Sequence, residues 1–206
     1  MARATWSIER GAPADVGAIG AMLGRAFAEN PVARACLDRS STAARLAQVT
    51  RLNTGLVRAA LRRGEIEIVR DGSAIAGAMM TFAPGRWPLD LRAWASMAWG
   101  ALGTGRRGVE RYALFDQRVG ALHPRGPCTY LWILGVEPSM QGRGIGAALL
   151  GELAQRSDRA GVPVYLETDK DSSVRLYRSH GFEVERDITV PKLGDLRVWT
   201  MLRHPR

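Results

Sequence analysis

The sequence predicts an α/β fold in the α+β sense, with a mixed sheet and helices packed on its faces. Stretches with apolar residues at helical spacing alternate along the 206-residue chain with short, dense apolar runs typical of strands. The pair Asp71-Gly72 joins two such runs and predicts a β-hairpin. Helices and strands in this mixed order need a shared core, because each element must bury its apolar face against another.

The first half of the chain predicts a strand, two helices and the hairpin. Residues 5–10 form the expected strand, and Pro13 and Asp15 then open a helix with Asp15 as its N-cap. Asn30 and Pro31 are expected to break this helix. The remaining elements are a helix over about 41–63 and hairpin strands over 65–70 and 74–82.

The second half predicts helices that alternate with strands. Residues 89–122 are expected to be helical with an interruption around 103–108, and 130–136 suit a central strand. The other predicted elements are helices over 144–160 and 172–180 and strands over 164–168, 182–190 and 197–202. Because the sequence contains no repeat, low-complexity tract or linker, we expect a single domain over 1–206.

The composition is typical of an ordinary globular domain, with 46% hydrophobic and 24% charged residues. No segment has the roughly 20 consecutive apolar residues of a membrane-spanning helix, and no apolar signal-peptide core is present. We therefore expect a cytoplasmic protein with no membrane partner. Cys36 and Cys128 are interpreted as buried thiols rather than a disulfide. The three histidines, His123, His180 and His204, lack the spacing of metal ligands.

The net charge of +9 is spread along the chain, mostly as arginine. A specific nucleic-acid site would need this charge on one face, with aromatic residues among the basic ones. The sequence shows neither pattern. We therefore interpret the charge as solvated surface that also attracts a polyanionic ligand.

A glycine-rich turn between the expected central strand and the next helix carries the chemistry. Gly142, Gly144 and Gly146 permit close approach of the backbone to a ligand, and Arg143 can add a charge-assisted contact. The unpartnered N–H groups and the dipole at the helix start favour a pyrophosphate. The turn lacks the spacing of a dinucleotide loop and the lysine and hydroxyl of a Walker loop. A turn that serves packing alone is the alternative.

The turn resembles the Q/R-x-x-G-x-G/A acetyl-CoA loop of the GCN5-related N-acetyltransferase (GNAT) superfamily, with the sequence Gln141-Gly142-Arg143-Gly144-Ile145-Gly146. Further similar segments follow at the usual spacing of that superfamily, over 161–168, 176–184 and 199–203. The similarity covers about 131–203. With the segment 26–31, these features are most similar to the puromycin N-acetyltransferase-like branch.

The resemblance implies a mixed, mostly antiparallel sheet whose two middle strands splay apart. It also implies acetyl-CoA as co-substrate and no metal. In that superfamily the pantetheine arm lies in the gap between the strands. The residues expected to bind it here are Leu134, Gly135, Val136, Gln141, Gly142, Arg143, Gly144, Ile145, Gly146, Ser173 and Tyr177. The acceptor side would come from about 1–127 and the cofactor side from about 128–206.

The same resemblance implies direct transfer to an amine and suggests three catalytic candidates. Tyr177 matches the tyrosine that protonates the leaving thiolate in many members, and packing beside Phe182 is its alternative role. Glu167 is the first candidate for the base, acting through water, and Glu137 is the second. An ion pair or a helix cap is the alternative for each. Ser173 stands where the superfamily often has asparagine, which leaves its contact with the cofactor open.

The acceptor is less well defined than the cofactor. The branch favours an aminonucleoside-, drug- or metabolite-like primary amine, with a protein lysine as an alternative. A non-catalytic acyl-CoA-binding sensor is an alternative of another class, and a homodimer is compatible with the resemblance. The residues Trp87, Trp94, Met97, Trp99 and Leu102 are expected to pack in the core, with an aromatic acceptor pocket as the alternative.

Overall fold

The computed structural model of the protein describes residues 6–88 and 90–206. The helices are α1 (Val16–Phe27), α2 (Pro31–Cys36), α3 (Thr42–Arg63), α4 (Leu91–Leu102), α5 (Gly105–Gly120), α6 (Ile145–Ala160) and α7 (Asp171–Arg178). The strands are β1 (Ile8–Arg10), β2 (Glu65–Asp71), β3 (Ala74–Phe82), β4 (Thr129–Val136), β5 (Val164–Thr168), β6 (Glu183–Val190) and β7 (Leu196–Arg203). Among the described residues, no helix is both long and apolar enough to cross a membrane.

The strands form one seven-stranded sheet in the order β1-β2-β3-β4-β5-β7-β6. Neighbouring strands pair antiparallel except β4 and β5, which are parallel. Asp71 pairs with Ala74 across the β2–β3 turn, and Gly72 in that turn has a φ of 60°. The prediction of a mixed, mostly antiparallel sheet is confirmed, and the sheet joins the two expected halves of the chain.

Helices cover both faces of the sheet, and alternate residues of β3 therefore pack into two different hydrophobic clusters. Ala78 and Met80 pack with α1 and α3, whereas Met79 packs with α6. Helix α6 buries one apolar stripe, consisting of Ile145, Leu149, Leu150 and Leu153. Each fully buried side chain of this size contributes roughly 1.5–3 kcal/mol to the free energy of unfolding. This packing fixes the start of α6 against β3 and β4.

Three local features differ from the prediction. Asn30 and Pro31 do separate helices, but Pro31 lies in the first turn of α2, where its missing N–H costs no helical hydrogen bond. The interruption between α4 and α5 is limited to 103–104, because α5 begins at Gly105. Asp15 precedes α1 without capping it, and instead forms an ion pair with Arg70 at 2.7 Å. Position 5 of the predicted strand at 5–10 lies outside the described residues. Position 89, the predicted start of a helix, lies outside them too.

The tryptophan-containing segment around α4 is not a core stripe. Trp87 and Met97 are half-buried against the cluster of α1 and α3. Trp94 and Trp99 are instead 42% and 46% exposed, and Leu102 is 69% exposed. The prediction of core packing is therefore wrong for these three residues. The reason is that α4 buries only a narrow side formed by small residues.

Candidate active site

The sheet opens between its two parallel strands. Strands β4 and β5 pair only over 129–131 and 164–166. Beyond Leu131, β4 continues to Val136 paired with β3, with a register shift at Trp132, while β5 ends at Thr168. The β4 backbone groups that point away from β3 there have no strand partner among the described residues. They leave hydrogen-bonding positions for an extended ligand.

The glycine-rich turn has the backbone shape that the sequence indicates. Gly142 and Gly144 have φ values of 78° and 84°, in the left-handed region that favours glycine. Gly144 precedes α6, and its carbonyl accepts the first helical bond from the N–H of Ala148. The N–H groups of Ile145 and Gly146 are therefore not used within the helix. A Cβ at Gly142 or Gly144 would meet no heavy atom within 4 Å, so the turn faces open space.

A groove of about 470 Å³ lies beside this turn, between α1, the end of β4 and α7. The predicted cofactor-binding residues that line it are Leu134, Gly135, Val136, Gln141, Gly142, Gly144, Ile145, Gly146, Ser173 and Tyr177. Arg143 is not among the lining residues. Its side chain is exposed, and its carbonyl accepts a hydrogen bond from the Trp6 indole at 3.0 Å. Phe27, Asn30 and Lys170 also line the groove, although sequence reasoning assigned them no role.

Two further cavities continue from the groove. The junction cavity, of about 230 Å³, shares with the groove the residues Phe27, Asn30, Leu134, Ser173 and Tyr177. The inner cavity, of about 150 Å³, shares with the junction cavity the residues Val32, Trp132, Glu167, Thr168 and Asp169. A ligand in the groove and a ligand in the junction cavity would therefore meet beside Tyr177.

Tyr177 is buried where the groove and the junction cavity meet. Its ring packs against Phe182 with centroids 5.7 Å apart. Burial raises the pKa of the phenol above its ordinary value, and the charge of Asp169 acts in the same direction. The hydroxyl therefore keeps its proton at neutral pH. The packing beside Phe182, which is the alternative to the catalytic role on sequence grounds, is present, and the side chain also lines the groove.

Glu167 lies near the end of β5 and lines both the junction cavity and the inner cavity. Its Oε2 accepts a hydrogen bond from the Tyr130 hydroxyl at 2.7 Å. Burial raises the pKa of this carboxyl to about 7, although the hydrogen bond from Tyr130 opposes the rise. A carboxyl that titrates near neutrality can accept a proton and release it again at the pH of the cell.

Glu137, the second candidate base, is held in an ion pair. The Arg25 guanidinium donates to both carboxylate oxygens, from Nε at 3.1 and 3.0 Å and from Nη2 at 2.7 Å. Glu137 is not among the residues that line the groove, the junction cavity or the inner cavity. Of the two glutamates, the structure brings only Glu167 to these cavities.

The inner cavity combines acidic and aromatic side chains. Its carboxyl groups are Asp116 of α5, exposed at the cavity mouth, and Glu167 and Asp169 at the end of β5. Burial raises the pKa of Glu167 and Asp169. Its aromatic residues are Trp87, Phe115, His123, Tyr130 and Trp132. Although the chain has a net charge of +9, the described residues that line this cavity include no lysine or arginine.

Sequence reasoning missed the two aspartates of the inner cavity for different reasons. Asp169 directly follows the predicted strand 164–168, so its position at a strand end was an available signal. Asp116 lies on a helix with many charged residues, where an acidic side chain is normally solvated. Only the tertiary structure places it at the mouth of a cavity.

The described part of the chain contains neither a cluster of potential metal ligands nor a paired cysteine. The residues 6–88 and 90–206 contain no group of three or more His, Cys, Asp or Glu side chains that could hold a metal. Cys36 and Cys128 are free and buried, as predicted. Burial raises the pKa of the Cys36 thiol to about 12, so little thiolate forms at neutral pH.

Known proteins share parts of this sequence. The sequence profile of the acetyltransferase (GNAT) family matches residues 69–182. A 52-residue segment is 56% identical to N-alpha-acetyltransferase RimI of Mycobacterium tuberculosis, over 24% of this chain and 32% of that protein. A 61-residue segment is 41% identical to a mycothiol acetyltransferase of a Mycobacterium species, over 26% of this chain and 20% of that protein. The matches span about a third or less of the length of these curated relatives.

The fold also has solved counterparts. A Corynebacterium glutamicum protein named histone acetyltransferase HPA2 and related acetyltransferase superposes with a TM-score of 0.68. It is 22% identical, and the match covers 98% of this chain and 97% of that one. The family match covers more than half of the chain and includes the splayed strands, the glycine-rich turn and Tyr177. The chain therefore belongs to the acetyltransferase (GNAT) family.

Proposed function

We propose that this protein transfers the acetyl group of acetyl-CoA directly to a primary amine of a small molecule. The observation that carries the proposal is the meeting of the groove and the junction cavity at Leu134, Ser173 and Tyr177. A cavity with the features of a cofactor site thus opens onto a cavity that contains a candidate base. Direct transfer needs two substrates held next to each other in this way, because positioning removes much of the barrier.

The residues of the groove fit acetyl-CoA, which would supply the acetyl group as a thioester. Open space in front of Gly142 and Gly144 allows a pyrophosphate to reach the N–H groups at the start of α6. The β4 backbone at 134–136 has polar groups that point into the opening of the sheet, and these suit the amides of a pantetheine arm. A β4 N–H near the thioester would also polarise its carbonyl.

The reaction needs two proton transfers, and Glu167 carries out one and Tyr177 the other. A C–N bond forms as the neutral amine attacks the thioester carbonyl, and the C–S bond breaks. Glu167, a carboxylate above about pH 7, takes the amine proton directly or through a water. Tyr177, kept neutral because burial raises its pKa, gives a proton to the leaving sulfur.

The inner cavity supports a small cationic amine as the acceptor. Its carboxyl groups and aromatic faces attract ammonium groups by charge and by cation–π interaction. The cavity extends beyond Glu167, so the body of an acceptor can lie there while its amine reaches the junction cavity. A protein lysine would not need this additional volume. The proposal therefore keeps the aminonucleoside-, drug- or metabolite-like acceptor of the puromycin N-acetyltransferase-like branch.

The first prediction is acceptor-dependent release of thiol from acetyl-CoA. The assay follows the free thiol with DTNB across puromycin, small polyamines, hydrazides, N-terminal peptides and lysine peptides. We expect turnover with one class of small amine, at a rate well above acceptor-free hydrolysis. Turnover with peptides alone would replace the small-molecule acceptor by a protein. Acetyl-CoA binding without release for any acceptor would favour the sensor.

A second prediction concerns Asp116 at the mouth of the inner cavity. In Asp116→Asn we expect kcat/KM for 1,5-diaminopentane to fall about 5-fold relative to wild type, because one partly solvated charge pair is lost. At about pH 8.5, where Glu167 is a carboxylate in both proteins, the value for pentylamine should stay unchanged, since it has no second ammonium group. Asp71→Asn is the matched control, because Asn-Gly keeps the preference of the β2–β3 turn. An equal loss for both amines would contradict the assigned role of Asp116.

A further inference from the structure

One helix carries most of the exposed large apolar side chains of the protein. Five large hydrophobic residues are exposed in the described part of the chain, and four of them lie on α4. Their exposed fractions are 85% for Leu91, 42% for Trp94, 46% for Trp99 and 69% for Leu102. With 3.6 residues per turn, these four side chains fall within an arc of about 140°. They form a continuous outer face, called here the α4 face.

The packing of α4 explains why this face cannot enter the core. Helix α4 approaches α3 closely through glycines. A Cβ at Gly55 would lie 2.7 Å from the Ser96 carbonyl oxygen, and a Cβ at Gly100 would lie 3.0 Å from the Arg51 carbonyl oxygen. The buried side of α4 is therefore narrow and its opposite side is free. A solvated helix face normally carries charged residues, but Arg92 is the only charged residue of α4.

Arginine side chains border the α4 face along one side. The guanidinium groups of Arg51 and Arg58 each lie 4.7 Å from the ring centre of Trp99. Arg58, Arg62 and Arg92 line an open cavity of about 380 Å³ next to the same ring. Within residues 6–88 and 90–206, none of these four arginines forms an ion pair. The border is thus positively charged and uncompensated.

Although the sequence predicts no membrane partner, we propose that the α4 face docks on the surface of an anionic lipid bilayer. Leucine and tryptophan on one side of a helix, with arginine beside them, match the composition of helices that lie in the membrane interface. Leu91 and Leu102 would enter the boundary between headgroups and acyl chains, and Trp94 and Trp99 would lie at headgroup level. The bordering arginines would bind lipid phosphates, for which a guanidinium is well suited.

A bilayer suits this surface better than a second copy of the chain. A two-fold contact through the α4 face would add a second arginine border to the interface, and neither border carries a compensating charge. Like charges brought into one interface oppose association. An anionic bilayer covers the apolar face and neutralises the arginines together. A face that serves an acidic protein instead would leave the wild-type protein unbound to anionic vesicles.

The test measures cosedimentation with vesicles of phosphatidylcholine, with and without phosphatidylglycerol, at low and high salt. Wild type should bind only the anionic vesicles, and more weakly as salt rises. Arg58→Gln/Arg62→Gln/Arg92→Gln should lower the partition coefficient about 100-fold, because each surface arginine contributes substantially to binding. Leu91→Ser/Leu102→Ser should lower it at least about 10-fold through lost apolar insertion.

A matched control variant distinguishes binding through the α4 face from attraction by the net positive charge of the protein. Arg118→Gln/Arg125→Gln/Arg186→Gln removes the same charge from exposed positions elsewhere and should keep most of the binding. Thermal unfolding midpoints should stay close to wild type, because all substituted side chains lie at the surface. The proposal is overturned if the control triple variant loses as much binding as Arg58→Gln/Arg62→Gln/Arg92→Gln. It is equally overturned if the wild-type protein does not bind anionic vesicles. It is also overturned if Leu91→Ser/Leu102→Ser instead splits a homodimer in sedimentation equilibrium.

Discussion

Glu167→Gln is expected to lower kcat/KM for the best amine acceptor by about 100-fold to 1,000-fold at pH 7.5, the usual range for loss of a general base. Glutamine keeps the volume of the side chain, and its carbonyl oxygen can still accept the hydrogen bond from Tyr130. The fold and the cavity should therefore survive, and the loss should report proton transfer. Binding of acetyl-CoA, measured by calorimetry, should change little because Glu167 does not line the groove.

The assignment of Glu167 as the base also predicts how kcat/KM depends on pH. Burial raises the pKa of Glu167 to about 7, and the base acts only as the carboxylate. In the wild type kcat/KM should therefore rise with pH through about 7, separately from a limb at higher pH that reflects the amine itself. In Glu167→Gln the limb near 7 should vanish while the amine limb remains. A wild-type profile without the lower limb would argue against Glu167 as the base.

Tyr130→Phe is a second test of whether the limb near pH 7 belongs to Glu167. The Tyr130 hydroxyl donates to the Glu167 carboxylate at 2.7 Å and thereby lowers its pKa against the effect of burial. Without this hydroxyl the pKa of Glu167 should rise, and the lower limb should move to higher pH. If the limb stays in place, it belongs to a group other than Glu167.

The parts of the structure that follow from the sequence are those with local causes. The Asp71-Gly72 turn, the apolar stripe of α6 and the glycines before α6 each depend on residues close together in the chain. The groove follows from them, because a positive φ at Gly142 and Gly144 positions a helix start beside the end of β4. Local patterns therefore predicted the fold class and the glycine-rich turn, whereas the family resemblance supplied the other predicted residues of the groove.

The features that the sequence did not predict depend on distant parts of the chain. Asp116 faces a cavity only because α5 lies beside residues of β4 and of the end of β5, which no local pattern encodes. Trp94 and Trp99 read as core residues by composition, yet the close approach of α4 to α3 leaves them outside. On sequence grounds Glu167 is the first candidate base and Glu137 the second, with the same alternative roles for both. An ion pair with Arg25, 112 positions away, separates their environments.

Tyr177→Phe should lower kcat by about 100-fold while the Kd for acetyl-CoA changes less than about 3-fold, in line with loss of a general acid. Phenylalanine keeps the ring that packs on Phe182 at 5.7 Å and removes only the proton donor. Because burial raises the pKa of this phenol, the donor should stay protonated, and wild-type kcat should show no alkaline decline up to about pH 9.5.

If the role of Tyr177 were purely structural, loss of kcat would follow loss of stability, and Phe182→Leu tests this. This variant keeps the Tyr177 hydroxyl but removes the ring against which it packs. We expect Phe182→Leu to lower the thermal midpoint more than Tyr177→Phe does, and to reduce kcat far less. If both variants reduce kcat in proportion to their loss of stability, the hydroxyl has no special part in the reaction. Protonation of the leaving sulfur would then have to come from solvent or from the outgoing amine proton.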